Sequence, residues 1–169
     1  MACKINLHTI DKIDNKTTKP TFDLTFFGIE VVESYNDSIP KIVYFYKIDE
    51  KGNTTREKIK ETHYYQNKKV FIIGGIKDEK RDGKWYAFFP DGTVQTEAFY
   101  VDGKEHGNYS VYQENGNPKY KGHFNHGECD GNWYFFDYSG NLTKTMEANK
   151  NTIVCSHCEK CLQLKQKKE

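Results

Sequence analysis

Three sets of glycines repeat at one interval. Gly83, Gly107 and Gly131 lie 24 residues apart, as do Gly92, Gly116 and Gly140, and as do Gly103 and Gly127. One period in three independent registers marks a chain built from stacked copies of a supersecondary unit. The copies read "GKWYAFFPDGTVQTEAFYVDGKEH", "GNYSVYQENGNPKYKGHFNHGECD" and the shorter "GNWYFFDYSGNLTKTMEANKN". Other columns agree. Trp85, Tyr109 and Trp133 follow the first glycine by two, and Phe88, Tyr112 and Phe136 follow it by five. Upstream, "GGIKDEKRDG" (74–83) fits the end of a degenerate unit, and "YFYKIDEKGN" (44–53) fits its opening, with an insertion between.

The glycines fix the local structure. "PDGT", "ENGN" and "YSGN" are turn tetrads with glycine where φ must be positive. Their flanks are short runs rich in Tyr, Phe and Trp, so each unit is a β-hairpin. "VDGKEHG" and "NHGECDG" link one hairpin to the next. The trailing Gly107 and Gly131 are expected to let the backbone pass close beneath a neighbouring ring. "TFDLTFFGIEVVESY" (21–35) and "KIVYFYKI" (41–48) read as further strands. So does "TREKIKET", where the repeat register outweighs its helical look. The expectation is an all-β protein: an elongated, twisted antiparallel meander of stacked hairpins with a 24-residue period. Residues 1–20 form an N-terminal segment, 21–146 the repeat sheet (sharp over 83–146, degenerate over 41–82) and 147–169 a Cys- and Lys-rich tail.

Composition suits this reading. Of 169 residues, 36 % are hydrophobic and 15 % aromatic, so rings rather than Leu and Ile carry the apolar content, as pleated half-exposed strands prefer. The formal charge of +1 gives no field that draws nucleic acid. No apolar run approaches the ~20 residues that span a bilayer. The segment 83–146 carries five Lys and eight Asp or Glu, a net of −3, and does not seek anionic lipid.

"YKGHFNHGECDGNWYFFDYSGN" (120–141) resembles a MORN (membrane occupation and recognition nexus) repeat. The matching residues are Tyr120, Gly122, Phe124, Gly127, Gly131, Trp133, Phe135 and Gly140. The eukaryotic repeat has glycine where this chain has Trp133, with Trp85 and Tyr109 in the earlier units. That departure is similar to a bacterial variant whose carriers are commonly labelled antitoxin-like. The resemblance covers about residues 70–146, and more weakly 41–70. It implies a non-catalytic protein–protein interaction module with a protein partner of unknown identity. Two aromatic ladders are its candidate binding residues: Trp85, Tyr109 and Trp133, which inter-repeat packing would bury, and Phe88, Tyr112 and Phe136, which would then be exposed.

Two other readings come from the cysteines. "CSHCEKC" sets Cys155, Cys158 and Cys161 at the two-residue gaps that turn thiolates onto one ion, with Cys129 or a histidine as fourth ligand to zinc. Free thiols in a Lys-rich tail, or disulfides, are the alternatives. Ala2-Cys3 fits the end of a bacterial lipoprotein signal, which would place the chain at the cell envelope, lipid-anchored through Cys3. Otherwise it is cytoplasmic as written, with no membrane contact. His106 falls in the linking-turn column that holds Asp82 and Asp130 in the neighbouring units, His123 falls in the column of Gly75 and Phe99, and His126 fills another variable column, so the spacing of His123, His126 and Cys129 carries little weight as a ligand set. With no phosphate loop, HExxH or GxSxG, no enzyme is expected.

Overall fold

The computed structural model describes residues 27–36 and 39–148. Eleven strands follow one another in a single antiparallel sheet. They are β1 (Phe27–Asn36), β2 (Ile39–Ile48), β3 (Thr54–Tyr64), β4 (Val70–Lys77), β5 (Lys80–Phe88) and β6 (Val94–Val101). β7 (Lys104–Glu105), β8 (Gly107–Tyr112), β9 (Pro118–Asn125), β10 (Glu128–Phe136) and β11 (Leu142–Ala148) complete the meander. Each strand pairs with its sequence neighbour, except that the two-residue β7 pairs only with β6, which goes on to pair with β8. The strand reading of "TREKIKET" holds as part of β3.

The period comes from two stacks of turns. On one side the chain turns at 65–69, 89–93, 113–117 and 137–141, each with the same pair of backbone hydrogen bonds. Side chains of one turn donate to carbonyls of the next. Asn67 Nδ2 reaches Pro90 O (3.0 Å), Gln113 Nε2 reaches Asp137 O (2.6 Å) and Asn115 Nδ2 reaches Tyr138 O (2.7 Å). On the other side sit the tight turns 78–79, 102–103 and 126–127, whose central residues all have positive φ, the type I′ signature. They too are stacked: Gly103 N donates to Arg81 O (2.9 Å) and Gly127 N to Glu105 O (2.7 Å), the same bond one period on.

The degenerate first unit is now explained. Lys68 (φ 65°) occupies the column of Gly92, Gly116 and Gly140, and Glu79 (φ 59°) that of Gly103 and Gly127. The backbone repeat therefore reaches back to Tyr65, where the glycine signal had faded.

Packing centres on one row across the sheet. In cross-strand register it runs Glu30, Tyr44, Glu61, Gly74, Trp85 and Ala98, then Tyr109 with Gly122, and Trp133 with Met146. The indoles lie flat on glycines: a Cβ on Gly74 would stand 2.1 Å from the Trp85 ring, and one on Gly122 would stand 2.2 Å from Trp133. The close-approach glycines are thus Gly74 and Gly122. A Cβ on Gly131 would meet nothing within 4 Å, and one on Gly107 only ordinary contact, so those two serve their positive φ instead. Ile76, Trp85, Ala98 and Tyr100 form one buried cluster, and Phe124, Trp133 and Met146 are buried further along.

The buried face changes along the sheet. The adjacent row runs Val31, Val43, Thr62, Ile73, Tyr86, Glu97, Ser110, Lys121, Tyr134 and Thr145. Alternation puts it on the opposite face. It is apolar or buried at the β2–β3 end (Val43 5 % and Thr62 1 % exposed) and polar from β6 onward. Lys60, buried over the Phe45 ring (4.7 Å), belongs to this first core, and burial pushes its ammonium pKa down to about 8.

Three outcomes follow. Gly122→Ala lowers stability by about 1–3 kcal/mol in urea unfolding, and Trp133→Tyr in the same chain recovers much of that loss, because Ala98 already packs against Tyr109. Lys68→Gly removes a left-handed lysine and raises stability in urea unfolding by up to about 1 kcal/mol, seen as a higher midpoint. Hydrogen bonds from Asn141 hold the Asp137 carboxyl below its ordinary pKa, as backbone bonds from Asn53 and Thr93 do for Asp49 and Asp91. Each contribution is complete above an unfolded value near ~3.9 and is lost as pH falls through the lower folded one. The difference in melting temperature between the parent and Asp137→Ala should therefore be full at pH ~7 and gone by pH ~2.

Candidate functional site

The first aromatic ladder is core. Trp85 and Trp133 are 3 % and 2 % exposed and Tyr109 is half-buried. Trp85 Nε1 donates to Gly75 O (2.9 Å), and the Arg81 guanidinium lies 4.0 Å from its ring centre. The second ladder is not an open patch either. Phe88 is buried, its ring stacked on Tyr86 (6.3 Å) and its carbonyl taken by Tyr65 Oη (2.8 Å). Tyr112 and Phe136 are half-buried. Opposite Phe88, Tyr112 and Phe136 the partner strands each carry an extra residue (Gln95, Lys119 and Thr143), so the alternation along the ladder strands is kept while their cross-strand neighbours shift.

On the face of β5–β10 opposite the indoles two rings meet solvent: Phe99 is 38 % and Tyr134 39 % exposed, with Tyr86 and Tyr112 half-buried nearby on the same face. Two further exposed rings lie outside that face, Tyr138 (65 %) in the turn after β10 and Tyr35 (38 %) near the end of β1. Tyr112 Oη donates to Glu97 (3.2 Å), and the Lys121 ammonium stands 5.6 Å from the Tyr112 ring. Burial, then the Glu97 charge, hold the Tyr112 hydroxyl above its ordinary pKa, so it remains a donor. This face offers flat aromatic area interspersed with an acid, a base and hydroxyls. Sequence reasoning missed Phe99 and chose the consensus columns. The signal lay in the neighbouring columns, where rings alternate with Glu97, Ser110 and Lys121.

At the β1–β4 end the indole face is polar instead. Tyr46 Oη donates to Glu30 (2.6 Å), which raises its pKa to about 12. Glu61 and His63 share a 2.6 Å hydrogen bond that lowers the Glu61 pKa. Lys58 pairs with Glu79 (2.9 Å) over the Tyr44 ring (3.9 Å).

Cys3, Cys155, Cys158 and Cys161 lie outside the described residues. Cys129 is half-buried and stands opposite Phe124, on the face of the indole row. His123 lies 3.7 Å from the Asp130 carboxylate, and the His106 ring lies 4.7 Å from His126 and 6.4 Å from His123. Among the described residues, no three His, Cys, Asp or Glu side chains already stand as a metal ion would require. Nor, among them, is any helix long and apolar enough to cross a membrane.

Three solved structures are similar over part of the chain. A mutant of TarM from S. aureus, in complex with fondaparinux, alpha-GlcNAc-glycerol and UDP, is 24 % identical with a TM-score of 0.38, covering 63 % of this chain and 19 % of that one. TarM itself is 20 % identical with a TM-score of 0.42, covering 74 % and 22 %. A GtfA/B complex bound to UDP and GlcNAc is 13 % identical with a TM-score of 0.40, covering 79 % and 26 %. The chain thus spans about a fifth to a quarter of the proteins it matches. No curated protein matches it. The family described as MORN repeat variant matches residues 81–102 and 105–126, two stretches offset by the 24-residue period, and these segments of the chain are MORN repeats of that variant type.

Proposed function

We propose that the chain is a non-catalytic protein-binding module that presents the tyrosine-rich face of β5–β10 to a partner protein. The observation that carries this reading is the division of rings between the faces. The indoles are consumed by packing on Gly74 and Gly122, while Phe99, Tyr134, Tyr86 and Tyr112 remain at least partly accessible opposite them. Tyrosine offers a large, stiff contact area with a hydroxyl at its tip, at little entropy cost. Glu97 and Lys121 add charge that orients a partner without fixing a reaction. Catalysis would need a nucleophile or general base held toward a reacting atom. The face carries tyrosine hydroxyls instead, and that of Tyr112 is held above its ordinary pKa by burial and the Glu97 charge. If the antitoxin-like label applies, the partner is a toxin protein bound through this face.

Affinity capture with the full chain, compared between the parent and Phe99→Ser with Tyr134→Ser, tests the reading. A specific protein recovered by the parent and lost with the double variant supports it. Equal recovery by both, or loss caused instead by Tyr44→Phe on the other face, overturns it.

A further inference from the structure

We propose that His106, His123 and His126 form a binding site for a divalent transition-metal ion of the zinc type, at the tight-turn end of the repeats. The turn stack assembles it. Gly127 N donates to Glu105 O, which hangs the 126–127 turn on β7 and sets His126 beside His106, the residue after the acceptor. β8 and β9 pair Asn108 with His123, which brings the third imidazole to the same corner. Residues 20 apart in sequence thus meet because the backbone repeats, not because the histidines are regularly spaced.

The separations fit a shared ion. Imidazole nitrogens sit ~2.0–2.1 Å from zinc, which puts each ring centre about 3.2 Å away and two tetrahedral ligands' centres about 5 Å apart. The observed 4.7 Å and 6.4 Å bracket that distance. The surrounding hydrogen bonds also suit ligation. His126 Nδ1 lies 2.8 Å from Asn125 Oδ1, an acceptor, so the proton sits on Nδ1 and the Nε2 lone pair is left for a metal. His123 Nδ1 faces the Asp130 carboxylate at 3.7 Å, placed as the outer partner that orients a ligating imidazole. His106 Nδ1 is buried with no hydrogen-bond partner among the described residues. A metal ion would give it one.

The donors do not yet converge. Loading requires His126, which is exposed, and His123, half-exposed, to turn about their side-chain torsions while the sheet stays fixed. Imidazole sets favour Zn²⁺, Cu²⁺ and Ni²⁺ over Ca²⁺ or Mg²⁺. The site is particular to this end of the array. One period earlier the columns of His106 and His126 hold Asp82 and Asp102, and that of His123 holds Phe99. It is also distinct from any cysteine site. Cys129 pairs with Phe124 on one face, whereas His123 pairs with Asp130 on the other.

The test is a zinc titration of the full chain against a fluorescent chelator, in a background of Cys3→Ser, Cys129→Ser, Cys155→Ser, Cys158→Ser and Cys161→Ser that removes all five competing thiols. The expected result is one equivalent of zinc at roughly micromolar Kd. His126→Asn and His106→Gln should each weaken it by about tenfold or more, while His63→Gln leaves it unchanged. Asparagine tolerates the φ of +50° at position 126, so that variant keeps its turn. Should His106→Gln not fold, His123→Asn takes its place. Zinc should also raise the melting temperature of the background protein but not of His126→Asn. A Kd weaker than about 100 µM in the background protein, or an affinity indifferent to His126→Asn, overturns the proposal.

Discussion

An indole lying on a residue without a side chain is the contact on which this sheet depends. The pairs of the central row make the rule visible inside one chain. Trp85 stands between Gly74 and Ala98, Trp133 between Gly122 and Met146, and Tyr109 between Ala98 and Gly122. Each indole lies on its glycine, and a Cβ there would stand 2.1 Å from Trp85 or 2.2 Å from Trp133, so that side of the indole admits no methyl. Within the described residues the sheet has no second layer, so it must bury apolar area within its own surface. Laying a flat ring on a neighbouring strand is the geometry that allows this. A buried Trp removes some 150–250 Å² from water, worth about 4–6 kcal/mol before entropy is counted. Two such rings, with Tyr100, Phe124 and Met146 around them, supply the core that a helix or second sheet would otherwise provide.

The turns supply the rest of the cohesion, and they explain the period. A single hairpin cannot lock its own ends, but a hairpin whose turn side chains donate to the next turn's carbonyls is tied to its neighbour at both edges. Asn67 on Pro90 and Asn115 on Tyr138 are versions of one bond offset by two periods, and Gly103 on Arg81 and Gly127 on Glu105 are another pair offset by one. Twenty-four residues is the length at which both stacks close. The glycine columns made that length legible, together with the hairpins and the single antiparallel order. The first unit was blurred because Lys68 and Glu79 hold left-handed conformations without glycine, and no residue-type pattern announces such a position. The roles of individual glycines were less legible than their spacing. A glycine kept for its φ and one kept for the space above its Cα look alike in a sequence, and only the position of the indole distinguishes Gly122 from Gly131.

Which face is buried was not legible either. Alternation assigns residues to two faces but does not say which faces water, and here the answer changes along the sheet. From β2 to β3, Val43, Phe45, Thr62 and Lys60 are buried on one side; from β5 to β11 the indole row is buried on the other. Glu30, Tyr44 and Glu61 therefore occupy the same row as Trp85 while forming polar pairs. The bulges compound the problem, since in each unit an extra residue on the partner strand (Gln95, Lys119 and Thr143) shifts the cross-strand neighbours of Phe88, Tyr112 and Phe136 at the same place. A ladder drawn through those columns mixes buried Phe88 with half-open Tyr112.

A repeat of this kind separates architecture from chemistry. Consensus positions are spent on packing: the glycines, the indoles and the buried Phe124 have little freedom to do anything else. The variable columns are held by the same backbone bonds but are free in side-chain type. Their positions in space are therefore as well defined as those of the core, while their identities can differ from unit to unit. The pair of columns that holds Asp82 and Asp102 in one unit holds His106 and His126 in the next, across an unchanged hydrogen bond between turn and strand. Exchanging two carboxylates for two imidazoles alters which ions and partners that corner can attract without altering the fold. The same holds for Phe99 and Tyr134 on the open face. Reading consensus columns recovers what the chain folds into. The residues that differ between units, placed by that fold, are where its specific interactions reside.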